Sequence, residues 1–262
     1  VMLGSFHALK DECYPLPEAV TNAYNNADIL AVECDITSTS EDGEYMKNLM
    51  KQMLYNDNTK LSQHISEEAY SALQTYLGYW GMDISALEVY RPWAVSSTLL
   101  IQDSDFDTEK GLDNFLLTTA HADGKEIYEV ESVDFQLNML INFSDDIYDL
   151  MFRSYEGETK ESQKQALEDL YTAWKSGDIE TFLEEDNEEE LAGYTEEDKK
   201  IAEDYNNQML YDRNKNMAKA AEDLMSQGKN VFYVVGAAHY AGEGGIIDLL
   251  EKDGYTAERV QY

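Results

Sequence analysis

The 262-residue chain has few cysteines and no long apolar run. Its two cysteines, Cys13 and Cys34, show no CxxC or zinc-cluster spacing, so two ordinary thiols are the favoured interpretation. A disulfide between them stays open if the protein is exported. No apolar run reaches the roughly 18 to 20 residues needed to cross a bilayer, so no membrane span is expected in this chain.

Basic residues are also scarce. The chain holds 19 Lys and Arg against 53 Asp and Glu, a formal charge of -34. Nucleic acid and anionic membranes need clustered basic residues, so neither is expected as a partner. A hydrophobic content of 43% and an aromatic content of 11% exclude an intrinsically disordered chain.

Several catalytic motifs are missing. The sequence contains no GxSxG, no P-loop, no HExxH and no GxGxxG. Hydrolysis by the active sites that these motifs form is therefore not expected, and neither is nucleotide binding.

What the sequence does contain is one short pattern twice, at its two ends. A strand-like run precedes Gly4, and His7 follows three residues later; the run 231–235 likewise precedes Gly236, with His239 three residues on. Each glycine permits a tight turn or a close backbone approach. We expect the two GxxH segments to meet in space, with both histidines in one crevice.

Each GxxH segment reads as part of a β-α-β unit. At the start, a helix over about 18–26 leads into a buried strand over 28–35; at the end, a helix over 246–252 leads to a last strand, Thr256–Val260. Parallel strands in such units place ligands beyond their carboxyl ends. We predict an α/β (α+β-like) fold: a central mixed sheet from both units and a strand at 125–131, with a large helical insertion. We expect one domain over 1–262, with its core in about 1–40, 125–131 and 228–262.

The insertion is predicted to be mostly helical. Ser40 and Ser66 are candidate helix caps, and the stretch 82–101 is predicted as a helix kinked at Pro92. The acidic run 184–190 is interpreted as solvated.

Only four histidines occur in the chain. His7 and His239 are candidates for metal ligands or general bases, because a neutral imidazole binds divalent metals and titrates near pH 7. The alternative to these functional roles is that each histidine caps its strand by hydrogen bonding. His64 and His121 have no glycine three residues before them at the end of a strand, and they are interpreted as structural.

Three charged residues complete the candidate site. Glu33 interrupts an apolar strand, where a buried carboxylate needs a cation such as a metal or Arg213. Glu131 follows another predicted strand and has a weaker claim, with a surface acid as its alternative. Arg213 is a candidate for stabilising an oxyanion or for orienting a carboxylate bidentately, and its alternative is a helix-surface ion pair.

In combination these residues resemble the TraB/GumN family, which is related to the Tiki-type metalloproteases. The resemblance covers nearly the whole chain, and it rests on Leu3-Gly4-Ser5-Phe6-His7, Tyr14-Pro15-Leu16-Pro17, the strand with Glu33, Arg91-Pro92-Trp93, Gly111-Leu112-Asp113, Lys125, Glu131, Arg213-Asn214, and Val235-Gly236-Ala237-Ala238-His239 with Gly242 and Gly245.

The resemblance implies a metal-dependent hydrolase acting on peptides. It implies His7, Glu33 and His239 as the catalytic and metal-binding set, with manganese or cobalt favoured and with Arg213 and Asn214 in support. Imidazole and carboxylate donors by themselves suit zinc equally well. In the mechanism that we expect, His7 and His239, with Glu33 or Glu131, hold an ion that lowers the pKa of a bound water. One carboxylate then takes the proton, and Arg213 stabilises the developing oxyanion.

Two other functions stay open. The same pocket would serve a non-catalytic accessory protein that holds a ligand or a metal. It would also serve a metal-independent, esterase-type hydrolase in which a GxxH histidine is the general base. Val1 opens directly on a strand-like run, which favours a trimmed chain or one that has lost an export signal. We therefore expect a bacterial, extracytoplasmic or cell-surface protein, with a cytoplasmic location still open.

Overall fold

One parallel sheet organises the described part of the chain. The computed structural model describes residues 1–37, 43–99, 105–178 and 193–260. The strands of the sheet are β1 (Met2–Ser5), β2 (Ile29–Val32), β3 (Glu126–Glu129) and β4 (Val231–Gly236). Their order is β1-β4-β2-β3, and every pair is parallel. The predicted α/β fold is confirmed, but the sheet is parallel where a mixed one was expected.

The two GxxH segments lie side by side because β4 inserts between β1 and β2. The register pairs Gly4 with Val235 and Ser5 with Gly236, so the prediction that these segments meet is confirmed. Val32 pairs with Val234, so β2 ends at the same edge of the sheet. The residues that directly follow β1, β4 and β2 therefore lie close together at this edge of the sheet.

Helices surround the sheet and fill the insertion. They are α1 (Glu18–Asn26), α2 (Gly43–Met53), α3 (Glu67–Tyr79), α4 (Pro92–Thr98), α5 (Leu112–Asp123), α6 (Val133–Asn142), α7 (Asp145–Arg153), α8 (Lys160–Ser176), α9 (Glu196–Asn206), α10 (Asp212–Met225) and α11 (Ile246–Lys252). Hydroxyl side chains cap several of them; Ser66, as predicted, accepts from the N–H of Ala69 at the start of α3.

The sheet is buried on both faces, which explains the continuous apolar runs of β2 and β4. Leu30 and Val32 pack with α1, α5 and α8 on one face, while Ile29 and Ala31 pack with α10 and α11 on the other. A separate core joins α3, α4 and α7 within the insertion. The helical insertion thus has its own hydrophobic interior beside that of the sheet.

Two predicted elements are wrong. Thr256–Val260 is exposed and forms no strand; its Arg259 instead donates to the carbonyl of Gly177 at 2.5 Å. The predicted kinked helix over 82–101 is, in its described part, a short turn followed by α4. Pro92 begins α4 instead of bending a longer helix, because proline lacks an N–H and the first helical position needs none.

Some expectations concern single residues or segments. Cys13 and Cys34 are both free thiols, so the disulfide is not formed. Ser40 and the acidic run 184–190 lie outside the described residues. No helix in the described ranges is both long and apolar enough to cross a bilayer. The single-domain interpretation stays a prediction.

Candidate active site

The predicted site residues converge at the carboxyl edge of the sheet. Glu33 directly follows β2, His7 comes two residues after β1, and His239 lies in a short helical turn, Ala237–Tyr240, directly after β4. Since β1, β4 and β2 are neighbours in that order, the three side chains emerge together. This is the edge at which open α/β folds bind ligands.

Glu33 is the centre of the hydrogen-bond network, and its carboxylate is only 12% exposed. Its Oε1 accepts from the backbone N–H of Gly236 at 2.6 Å and lies 3.7 Å from Nε2 of His239. Its Oε2 accepts from Nη2 of Arg213 at 2.7 Å and from Nε2 of Gln136 at 2.9 Å. Oε2 is thus held by two side-chain donors, while Oε1 faces His239.

The pKa of Glu33 is lowered although the group is buried. Burial by itself raises this pKa, but the positive charges of His239, when protonated, and of Arg213 lower it to about 2. His239 is neutral near pH 7, as shown below, so Arg213 and the protonated His7 supply the positive charge that keeps Glu33 ionised there. The carboxylate is therefore negative under physiological conditions.

Arg213 clamps two carboxylates. Its Nε and Nη2 donate to the two oxygens of Glu131 at 2.9 and 2.8 Å, a bidentate fork, and Nη2 also reaches Glu33. Its Nη1 donates to the carbonyl of Met209 at 3.0 Å, within a π-helical turn, Asn207–Tyr211, directly before α10. The guanidinium is 6% exposed. These contacts assign Arg213 to holding Glu33 and Glu131, which leaves it poorly placed for the expected contact with a substrate oxyanion.

The carboxylate of Glu131 is likewise fully occupied by hydrogen bonds to its neighbours. Its side chain is 5% exposed, and besides the fork from Arg213 its Oε2 accepts from Nε2 of Gln136 at 2.9 Å. The backbone N–H of Glu131 donates to the carbonyl of Glu33 at 2.7 Å, which ties the ends of β3 and β2 together. Glu131 thus neutralises Arg213, and Glu33 is the carboxylate that faces the histidines.

His239 is a buried, neutral imidazole. Its Nδ1 lies 2.6 Å from Oδ1 of Asn214, and Asn214 donates its own Nδ2 to the carbonyl of Gly244 at 2.9 Å. Because Oδ1 only accepts, the proton of the neutral ring sits on Nδ1, and Nε2 offers its lone pair on the side of Glu33. Burial lowers the pKa of His239 to about 4.

His7 has the same arrangement with a charged partner. Its Nδ1 lies 2.8 Å from Oδ2 of Asp113, while 66% of its side chain is exposed. Desolvation works against the charged ring, but the hydrogen bond and charge of Asp113, with the charge of Glu33, outweigh it and raise the pKa of His7. The two GxxH histidines therefore differ: His239 is buried and neutral, and His7 is open to solvent and favours a proton.

The two glycines of the motifs serve different purposes. A Cβ on Gly4 would lie 2.8 Å from Cα of Ala237, so this glycine allows β1 to pack against the turn after β4. A Cβ on Gly236 would lie 3.1 Å from Oε1 of Glu33, 3.6 Å from Cδ2 of His239 and 3.7 Å from Nε2 of His7. The space above Gly236 is thus the point on which all three site residues converge.

The donors suit a divalent ion in their chemistry, though not in their present spacing. In the described part of the chain, no group of three or more His, Cys, Asp or Glu side chains is arranged to hold a metal ion. Yet His7 and His239 each have Nδ1 fixed by an oxygen and Nε2 uncommitted, with a carboxylate oxygen of Glu33 beside them. Metal-binding histidines are oriented in this way. The donor set therefore fits a metal, and contraction around an ion would be needed.

Two site residues were missed from the sequence. Gln136 contacts both buried glutamates; its only signal is a polar residue among the apolar residues of α6. Asp113 lies in the first turn of α5 and gives no signal beyond its place in the family resemblance. The remaining histidines lie elsewhere, as expected: His64 contacts Asp145 and Thr59, and His121 contacts Asp35.

The sequence matches one protein family over almost its whole length. The model of the TraB/PrgY/gumN family covers residues 1–259. A metalloprotease TIKI homolog of Nematostella vectensis is 25% identical over 94% of this chain and 61% of its own. Metalloprotease TIKI2 of Danio rerio is 25% identical over 56% of this chain and 32% of its own, and the uncharacterized protein YbaP of Escherichia coli (strain K12) is 26% identical over 55% and 52%. The chain thus spans less than two thirds of each of these relatives. No solved structure matches.

Proposed function

The chain belongs to the TraB/PrgY/gumN family, and from this membership and the chemistry of the site we propose that it is a metal-dependent hydrolase that cleaves peptide bonds. One observation carries the proposal: Nε2 of His7, Oε1 of Glu33 and the ring of His239 surround the same small space above Gly236. The relatives named metalloproteases support a peptide substrate.

In this proposal His7, His239 and Glu33 hold the ion, with manganese, cobalt or zinc as candidates. The chemistry that such an ion supplies is Lewis-acid activation of water and of the substrate carbonyl. A metal ligand must be deprotonated, and His7 favours a proton near pH 7, so Nε2 of His7 would have to lose its proton before it could hold an ion. His239 needs no such step because its ring is already neutral.

The rest of the network keeps the donors in place. Asp113 and Asn214 fix the rings of the two histidines through Nδ1, and Arg213 holds Glu33 against Gly236. Glu33 would present its Oε1 to the ion, because its Oε2 already accepts from Arg213 and Gln136. Export stays a prediction that accompanies this function.

Metal binding and cleavage test the proposal separately. We expect one Mn²⁺, Co²⁺ or Zn²⁺ per chain by metal analysis, lost in His7→Ala and His239→Ala and retained in His64→Ala, the control in the insertion. A peptide library incubated with each metal should be cleaved by the wild type and by His64→Ala only.

The outcomes separate the three candidate functions. Stoichiometric metal without any cleavage would favour the non-catalytic accessory protein. Cleavage without metal, abolished in His7→Ala, would favour the metal-independent hydrolase. Cleavage that survives His7→Ala would exclude this site altogether.

A further inference from the structure

Gln136 on α6 touches both buried carboxylates of the site. Its Nε2 lies 2.9 Å from Oε2 of Glu33 and 2.9 Å from Oε2 of Glu131. These are the same two oxygens that receive Nη2 of Arg213, at 2.7 and 2.8 Å. Arg213 and Gln136 therefore donate to the same oxygen of each glutamate, Arg213 from a charged guanidinium and Gln136 from a neutral amide.

A thiol sets the direction of this amide. The Sγ of Cys34 lies 3.4 Å from Oε1 of Gln136 and donates to it. With Oε1 occupied by Cys34, the two N–H groups of the amide face Glu33 and Glu131. A flipped amide would instead place its oxygen against two carboxylates, which is repulsive.

The grip on Oε2 decides where the other oxygen of Glu33 points. Without Gln136, the carboxylate would keep one hydrogen bond from Arg213 to Oε2 and one from the N–H of Gly236 to Oε1. A second donor on Oε2 restricts the rotation of the carboxylate further and keeps Oε1 facing the N–H of Gly236 and the ring of His239. The contact with Gly236, at 2.6 Å, reports directly on this orientation.

We propose that Gln136 is a positioning residue: its amide, oriented by Cys34, fixes the carboxylate of Glu33 so that Oε1 faces Gly236 and the two GxxH histidines. The structural part of this inference does not depend on metal binding. Its consequence for a metal ion rests on the proposed function.

The test uses Gln136→Met, which keeps the length and bulk of the side chain and removes the amide. Gln165→Met on α8 is the control, because Gln165 is an exposed glutamine whose amide donates to Asp169 within the same helix. The first readout is the amide proton of Gly236 in metal-free protein, followed by NMR. Short hydrogen bonds to a charged acceptor shift such protons downfield, so we expect an upfield shift in Gln136→Met and none in Gln165→Met.

The second readout is Co²⁺ affinity, measured by titration of the visible absorption bands. Loss of an outer-shell partner typically weakens metal binding by about 10–100-fold, and we expect a loss in that range for Gln136→Met. Cys34→Ala should shift the Gly236 proton in the same direction by less, since the amide remains but is no longer oriented. That variant also serves if Gln136→Met fails to fold.

An unmoved Gly236 proton in a folded Gln136→Met, or in Cys34→Ala if Gln136→Met does not fold, would overturn the inference. An upfield shift together with weaker Co²⁺ binding supports it. If the wild type binds no Co²⁺ while the Gly236 proton still moves, the positioning role stands and the proposed metal-dependent function falls.

Discussion

Replacing Gly236 with alanine should remove metal binding while leaving the fold almost intact. The backbone of Gly236 has φ -51° and ψ 138°, which alanine adopts without strain. The added methyl would enter the space between Glu33, His7 and His239, at 3.1 Å from Oε1 of Glu33. The carboxylate must retreat by a few tenths of an ångström, and an ion would lose the room that it needs.

The expected magnitudes separate stability from binding. The tight contact with Glu33 costs energy, but a Gly→Ala change at a compatible site gains about 0.4–1 kcal/mol from the unfolded chain. We therefore expect the free energy of unfolding of Gly236→Ala to stay within about 1 kcal/mol of wild type, a change in Tm of about 2–4 °C. Metal affinity should fall by at least the roughly 10–100-fold seen for lost outer-shell contacts, since a ligand itself is displaced.

Two matched alanine variants complete the experiment. In Gly4→Ala the methyl would lie 2.8 Å from Cα of Ala237, a backbone atom that cannot move aside, so overpacking should cost about 1–3 kcal/mol. Gly78→Ala in α3 meets no atom within 4 Å and should stabilise its helix by about 0.5–1 kcal/mol. Calorimetry measures Tm, and Co²⁺ or Mn²⁺ titration measures affinity. A folded Gly236→Ala that binds metal as tightly as wild type would refute the idea that the site lies above this glycine.

Two further predictions concern buried ion pairs. Arg213→Met leaves Glu33 and Glu131 without this counter-ion, so we expect the free energy of unfolding, measured by urea titration, to fall by about 3–5 kcal/mol. The control is Lys215→Met, whose partner is an exposed aspartate and which should cost at most about 1 kcal/mol. Similar losses in both variants would contradict the role of Arg213 as the counter-ion of the two glutamates. Arg153, through a hydrogen bond, lowers the pKa of Asp198. Stability from a lowered carboxyl pKa is present above the unfolded value of about 3.9 and is lost as pH falls through the folded one, so Asp198→Asn should be less stable than wild type at about pH 7, with a gap that narrows below about pH 4; a gap that stays constant with pH would argue against this linkage.

The pairing of the GxxH segments was predictable because its signal is local and repeated. A strand, a glycine and a histidine three residues later occur twice, and parallel strands bring their carboxyl ends together. The predicted last strand, Thr256–Val260, also has a local signal, but a strand needs a partner. The described sheet has β1 and β3 at its edges and does not include this segment, whose Arg259 donates to the carbonyl of Gly177. A strand-like sequence cannot show whether an edge is within its reach.

The roles of the polar residues were harder to predict for a related reason. Arg213 was recognised as a candidate, but a sequence does not show how many acceptors surround a guanidinium. Of its two predicted roles, the structure shows the bidentate contact with a carboxylate: Arg213 makes four hydrogen bonds, three of them to Glu33 and Glu131. Gln136 was missed because a polar residue in an amphipathic helix is usually solvated. Its partners lie 103 and 5 residues away, and only folding brings both to it.

The charges of this network give a physical reason to expect a cation. Glu33 and Glu131 carry two negative charges against the single positive charge of Arg213, and His239 next to them is neutral near pH 7. Gln136 and the N–H of Gly236 solvate the excess charge but do not neutralise it. The positive charge of His7 also acts on Glu33, but His7 is hydrogen-bonded to a third carboxylate, Asp113, so three carboxylates face two cations and one negative charge is left over. A buried cluster with one uncompensated negative charge is costly unless a cation offsets it. The oxygen on which this charge is left is Oε1 of Glu33, the one that faces the histidines, so a metal ion bound there would stabilise the fold as well as supply the chemistry.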